Sequence, residues 1–105
     1  MTDTITTGKN DYGFNLAFTI YDSDGNARNI TGYTVTLKVW KAGRPKELVI
    51  NSACTVDVAA SGTCHYTIAA NDFREAARYN YELELTKEGV VDSSESGIIV
   101  VEDSP

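Results

Sequence analysis

The chain has 105 residues, 42% of them hydrophobic, with 15 acidic against 9 basic side chains and a net charge of −6. A single domain over residues 1–105 can bury about two thirds of its unfolded surface, enough for a core without a disulfide or metal staple. The longest apolar runs, such as residues 98–101, fall far short of the roughly 20 residues of a bilayer crossing, and the Lys and Arg residues are scattered singly; both membrane insertion and nucleic-acid binding are argued against.

Residues 1–10 are Thr-rich and polar, with neither a basic start nor an apolar stretch. No secretory signal or transit peptide is read there, so release from a cell would need a route such as lysis. Phe14, Leu16, Phe18 and Ile20 then alternate as one face of a strand. The following Asp22-Ser23-Asp24-Gly25-Asn26 looks like the opening of a calcium loop. The twelfth position is Tyr33 rather than Glu and no helices flank it, so the segment reads as an Asp-rich hairpin turn. Asn29-Ile30-Thr31 satisfies the glycosylation triplet, a coincidence without a secretory signal.

Val35, Leu37 and Val39 form a second alternating strand that carries Trp40, and Leu48 with Ile50 share the next face after a turn at Ala42-Gly43 and Pro45. A strand over residues 54–58 and another with Cys64, Tyr66 and Ile68 set against His65 and Thr67 flank a Ser61-Gly62 turn. Residues 69–77 have the composition of a short helix, with Asn71 or Asp72 as its cap. Tyr79, Tyr81, Leu83 and Leu85 alternate with Asn80, Glu82 and Glu84. After Glu88-Gly89, residues 90–101 are apolar at both ends and polar over 92–96, the pattern of a kinked strand or of two short ones. About seven or eight antiparallel strands in a chain of this length predict an all-β, immunoglobulin-like sandwich. Asp72 followed by Tyr79 and Tyr81 resembles the approach to a tyrosine corner in such folds.

Chemistry-bearing residues are few. Cys54 and Cys64 lie on consecutive strands. With the turn centred between Ala60 and Ser61, Cys54 would face Thr67 and Cys64 would face Asp57, so a bulge or wider loop is needed to bring the two within bonding range. Two readings stay open: a structural disulfide, which would place the protein outside the reducing cytosol, or two small buried hydrophobes. Two cysteines and one histidine do not make a zinc site, and no other metal or cofactor is implied. His65, the only histidine, is expected to face solvent. No serine sits in a nucleophile elbow, no phosphate loop exists, and Glu82 with Glu84 read as a solvated strand face, so no catalytic residues are assigned.

Asp11-Tyr12-Gly13-Phe14-Asn15-Leu16 with Phe18-Thr19-Ile20, Asp22-x-Asp24-Gly25, and residues 30–35 with Leu37-Lys38-Val39-Trp40 together resemble the N-terminal domain of tailed-phage baseplate upper proteins. Residues 62–67, Asp72-Phe73, residues 79–85, and Ser94 with Ile98-Ile99-Val100 extend the likeness over nearly the whole chain. The resemblance implies an immunoglobulin-like sandwich docked in the tail tip, followed in the family by a helical, trimerising region. Here the sequence stops at Pro105, so a free-standing sandwich on the virion surface is expected, in the tail or baseplate or as a decoration on the capsid. Its expected partners are other virion proteins and copies of itself, in particles assembled in the host cytoplasm and released by lysis. Two other classes compete: a carbohydrate-binding or host-adhesion domain using Trp40 and exposed tyrosines, and an acidic accessory or inhibitor domain steering a basic partner.

Overall fold

The computed structural model of the chain describes residues 3–44 and 47–103, and the expected turn at Pro45 lies outside them. Eight strands are formed among these residues: β1 (Asp3–Gly8), β2 (Asn15–Thr19), β3 (Thr34–Lys41), β4 (Leu48–Ala53), β5 (Thr55–Val58), β6 (Thr63–Thr67), β7 (Ala77–Lys87) and β8 (Val90–Glu102). A five-stranded sheet in the order β1-β8-β7-β3-β4 faces a three-stranded sheet in the order β2-β6-β5. Every neighbour pair is antiparallel except β1 with β8, which run parallel. This is an immunoglobulin-like sandwich, with β2 and β7 in the places of strands B and F.

The period-two face of each main strand is the face that the sandwich buries. Leu16, Phe18 and Ile20 pack from one sheet against Val35, Leu37, Val39, Tyr79, Tyr81, Leu83, Leu85, Ile99 and Val101 of the other. Where antibody domains join strands B and F by a disulfide, Phe18 and Tyr81 meet instead, their ring centroids 5.3 Å apart and their planes tilted by 50°. Trp40 alternates with inward Val39 and lies half-buried on the outer face.

Four sequence expectations change. Residues 1–10 contain β1, which is hard to see because Ile5 is its one large apolar side chain; Ile5 packs on the core from an edge strand. Phe14 lies beyond the end of β2 and is 61% exposed. Leu48 does not share a face with Ile50, because a register shift opposite Val39 and Trp40 puts Leu48 across from Trp40 on the outer face. Residues 69–77 are not helical. Asn71 adopts a left-handed φ of 75°, the Asp72 carboxylate accepts hydrogen bonds from the Ala69 amide (2.8 Å) and the Tyr66 hydroxyl (2.6 Å), and Phe73 is drawn into the core. Local composition there yields to a side chain that competes for backbone donors.

The tyrosine-corner expectation holds, with Tyr79 donating from its hydroxyl to the Glu75 carbonyl at 3.0 Å. The interruption expected near residues 92–96 is a bulge: Glu82 pairs with Ser96 and Glu84 with Ser93, so Ser94 and Glu95 oppose Leu83 alone. Glu95 is thereby placed to accept a hydrogen bond from the Tyr21 amide at 3.1 Å, a tie between the two sheets.

The phenols set an alkaline limit. Desolvation, then the hydrogen bond to Asp72, pushes Tyr66 up from 10.0 to about 12, and desolvation followed by the Glu75 carboxylate also raises Tyr79. The folded state favours both protonated phenols. Their contribution is therefore complete below the unfolded value and is lost as pH rises through the folded one. Urea midpoints should fall between about pH 10 and about pH 12, less steeply in Tyr66→Phe; equal slopes in the two proteins would remove Tyr66 from the effect.

Candidate functional site

The sandwich turns its inner faces entirely to packing, which leaves outer faces, loops and edges for function. On the outer face of the three-stranded sheet, His65 on β6 hydrogen-bonds through Nδ1 to the Asp57 carboxylate, at 2.8 and 3.0 Å to its two oxygens. The sequence placed His65 on the outer face but missed this partner, which lies across the β5–β6 hairpin and becomes legible only once the register is known. Glu82 and Glu84 share the outer face of β7, where Glu84 meets Lys38 at 2.9 Å and Glu82 accepts from the Ser93 hydroxyl at 2.8 Å. The carboxylates thus stabilise neighbouring strands rather than flanking a cleft. Among the described residues, no group of three His, Cys, Asp or Glu side chains is placed to hold a metal ion.

The Asp-rich turn is a turn. Asp22 Oδ1 accepts from the amides of Asp24 (2.9 Å) and Asn26 (3.0 Å), closing a hairpin whose arms bridge at Tyr21 and Ala27. Nearby, Arg28 and Asp92 pair at 2.8 Å, a hydrogen bond that raises the guanidinium above its usual value. At the opposite end, Lys41 pairs with Glu75 at 2.7 Å and holds that carboxyl low. The Asn29 side chain of the glycosylation triplet is engaged with the Thr31 amide and hydroxyl, and Ile30 is buried.

Cys54 and Cys64 are both free thiols. The register differs from the expected one by a single residue: Thr55 pairs with His65 and Val56 with Cys64, because a short 3-10 turn (Ala59–Ser61) and a register shift before Val58 take up the difference. A one-residue change reverses which face a side chain occupies. It puts Cys54 and Cys64 on the same inner face, both against the core.

The other candidate surface lies along the open side of the sandwich. There β1 and β2 are the outer strands of their sheets, and a groove between them is lined by Thr4, Ile5, Ala17, Phe18 and Thr19. It continues past Gly8, Phe14 and Ile68; Tyr12, two residues before Phe14, is 63% exposed. Residues 4–8 of β1 carry no charge and no proline, the two devices that most often blunt a strand edge.

Two comparisons bear on this fold. Residues 5–104 match the profile of the BppU N-terminal domain. Among solved structures, the N-terminal domain of phage TP901-1 ORF48 superposes with a TM-score of 0.65 at 15% identity, covering 93% of this chain and 84% of that one, a likeness of fold. No curated protein sequence matches the chain. With a sandwich of this order and a match spanning nearly its whole length, the chain belongs to the BppU N-terminal domain family, the structural domain of phage baseplate upper proteins.

Proposed function

We propose that the domain is a non-enzymatic structural module of a tailed-phage virion, binding other virion proteins in the tail tip or baseplate. Family membership over residues 5–104 carries this reading. The open β1 edge supplies a means: its outward backbone groups can accept an added strand from a virion partner or from a second copy of the chain. Such an interface uses main-chain hydrogen bonds, which fits a surface without a side-chain motif. The particle would assemble in the host cytoplasm and leave by lysis.

Quantitative mass spectrometry of purified particles tests the reading through the ratio of this protein to the major capsid protein. A ratio of a few per cent or less is expected for the tail. A ratio near one would move the domain to the capsid surface as a decoration, and absence from particles would overturn the virion role.

One observation favours host adhesion or carbohydrate binding as a second reading. Tyr12 and Phe14, 63% and 61% exposed, flank Gly13 as two accessible rings, whereas Trp40 is half-buried on the outer face of the five-stranded sheet. That reading requires Tyr12→Ala with Phe14→Ala to abolish cell binding while leaving the melting temperature in place; unchanged binding removes it.

A further inference from the structure

We propose that Cys54 and Cys64 close into an intramolecular disulfide when the protein meets an oxidising medium, tying the chain's crossing between the sheets to the central strand of the three-stranded sheet. The geometry rests on the register. Val56 pairs with Cys64 and Thr55 with His65, so continuing the ladder by one residue sets Cys54 opposite Tyr66, on the same face as Cys64 and diagonal to it. Each cysteine lies two residues before the other's cross-strand partner. The right-handed twist of paired strands shortens that diagonal relative to the other one.

The surroundings agree. Both side chains pack on one apolar cluster, Cys64 buried and Cys54 partly so. Cys54 is the residue at which the chain leaves β4 for the other sheet, and its amide is held at 2.7 Å by the Val35 carbonyl, so its backbone is anchored without the bridge. Each thiol is the strongest influence on the other's ionisation: contact with Cys54 pulls Cys64 down, and contact with Cys64 pushes Cys54 up.

The oxidant is a small-molecule disulfide such as oxidised glutathione. Exposure and not acidity selects Cys54 for the first step: its sulfur forms a mixed disulfide as the small S–S bond breaks, and its proton goes to the small thiolate released. The Cys64 thiolate then attacks the Cys54 sulfur and expels the second small thiolate, which takes up a proton. Two protein thiols are oxidised and one small disulfide is reduced to two thiols. Only the timing, reduced during assembly and closed after lysis, rests on the virion reading; the bond itself does not.

The test incubates the purified chain with oxidised glutathione, alkylates it in denaturant, and reads the intact mass, the peptide map and the melting temperature against protein kept in dithiothreitol. The expected result is a mass two hydrogens lighter, a mapped Cys54–Cys64 bridge and a Tm higher by roughly 8–15 °C, with no Tm difference in Cys54→Ser. Alkylation of both cysteines, a glutathione adduct persisting on either one, a disulfide-linked dimer, or a bridge that leaves Tm unchanged or lower would overturn the proposal.

Discussion

Phe18→Ala is expected to lower the stability of the domain by about 3–5 kcal/mol, read as a fall in the urea midpoint at constant m. Phe18 is 7% exposed on β2 and shares its inward face with buried Leu16 and Ile20. Its ring meets Tyr81 across the sandwich, so truncation removes apolar transfer energy and also a tilted aromatic contact worth about 0.5–1.5 kcal/mol beyond burial. The position matters because the B–F contact carries no covalent bond in this chain, with both cysteines lying on β6 and beside β5. Against a total stability of about 5–15 kcal/mol for a domain of this size, the variant should be marginal at 37 °C. Phe18→Leu, which retains most of the volume, is expected to cost under about 2 kcal/mol. Equal losses in the two variants would assign the cost to the ring contact with Tyr81, which both remove, and not to the vacated volume.

The same residues show why much of the fold was legible from the sequence. Leu16, Phe18 and Ile20, then Val35, Leu37 and Val39, then Tyr79 to Leu85 each alternate because one face of each strand is buried and the other is wet, and burial is what period two encodes. Even the bulge at Ser94 and Glu95 left a trace, as a polar interruption in an apolar strand. Other elements left none. β1 buries Ile5 alone and is held by backbone pairing to β8, so its side chains carry little pattern. Residues 69–77 looked helical because propensity is a weak prior, and the Asp72 carboxylate outcompeted the helix for the Ala69 amide. The face on which Cys54 sits turned on one residue of register, set by a 3-10 turn that composition does not specify. Function was legible at the level of family, through strand and turn residues spread over the chain. The proposed binding edge was not, since strand addition, the mode proposed for it, would use main-chain groups that every residue possesses.

Gly62→Ala is expected to cost about 3–5 kcal/mol, although it adds a single methyl group to a turn. Two effects add. At φ +69° the residue sits in the left-handed region, which penalises a Cβ by about 1–2 kcal/mol. The new Cβ would also stand 2.6 Å from the Arg28 carbonyl oxygen and 2.7 Å from that of Ile20, distances that only backbone movement can relieve. That backbone is already committed. The Ile20 amide donates to the Gly62 carbonyl and the Arg28 amide to the Ile20 carbonyl, each at 2.8 Å, while the Ile30 amide reaches Ala59 at 2.9 Å. A shift large enough to admit the methyl would loosen the bonds that dock residues 20–30 onto the β5–β6 hairpin, with buried Ile20 and Ile30 moving along with them. Gly43→Ala separates the two effects, because Gly43 has φ +87° and nothing within 4 Å of its would-be Cβ. It should show only the conformational cost, about 1–2 kcal/mol. The excess of Gly62→Ala over Gly43→Ala then measures the close approach, and equal losses would mean that the hairpin and the 20–30 segment are not in contact there. Since the docked segment carries the Tyr21 amide that Glu95 holds from the other sheet, the excess loss should be accompanied by faster amide exchange at Tyr21.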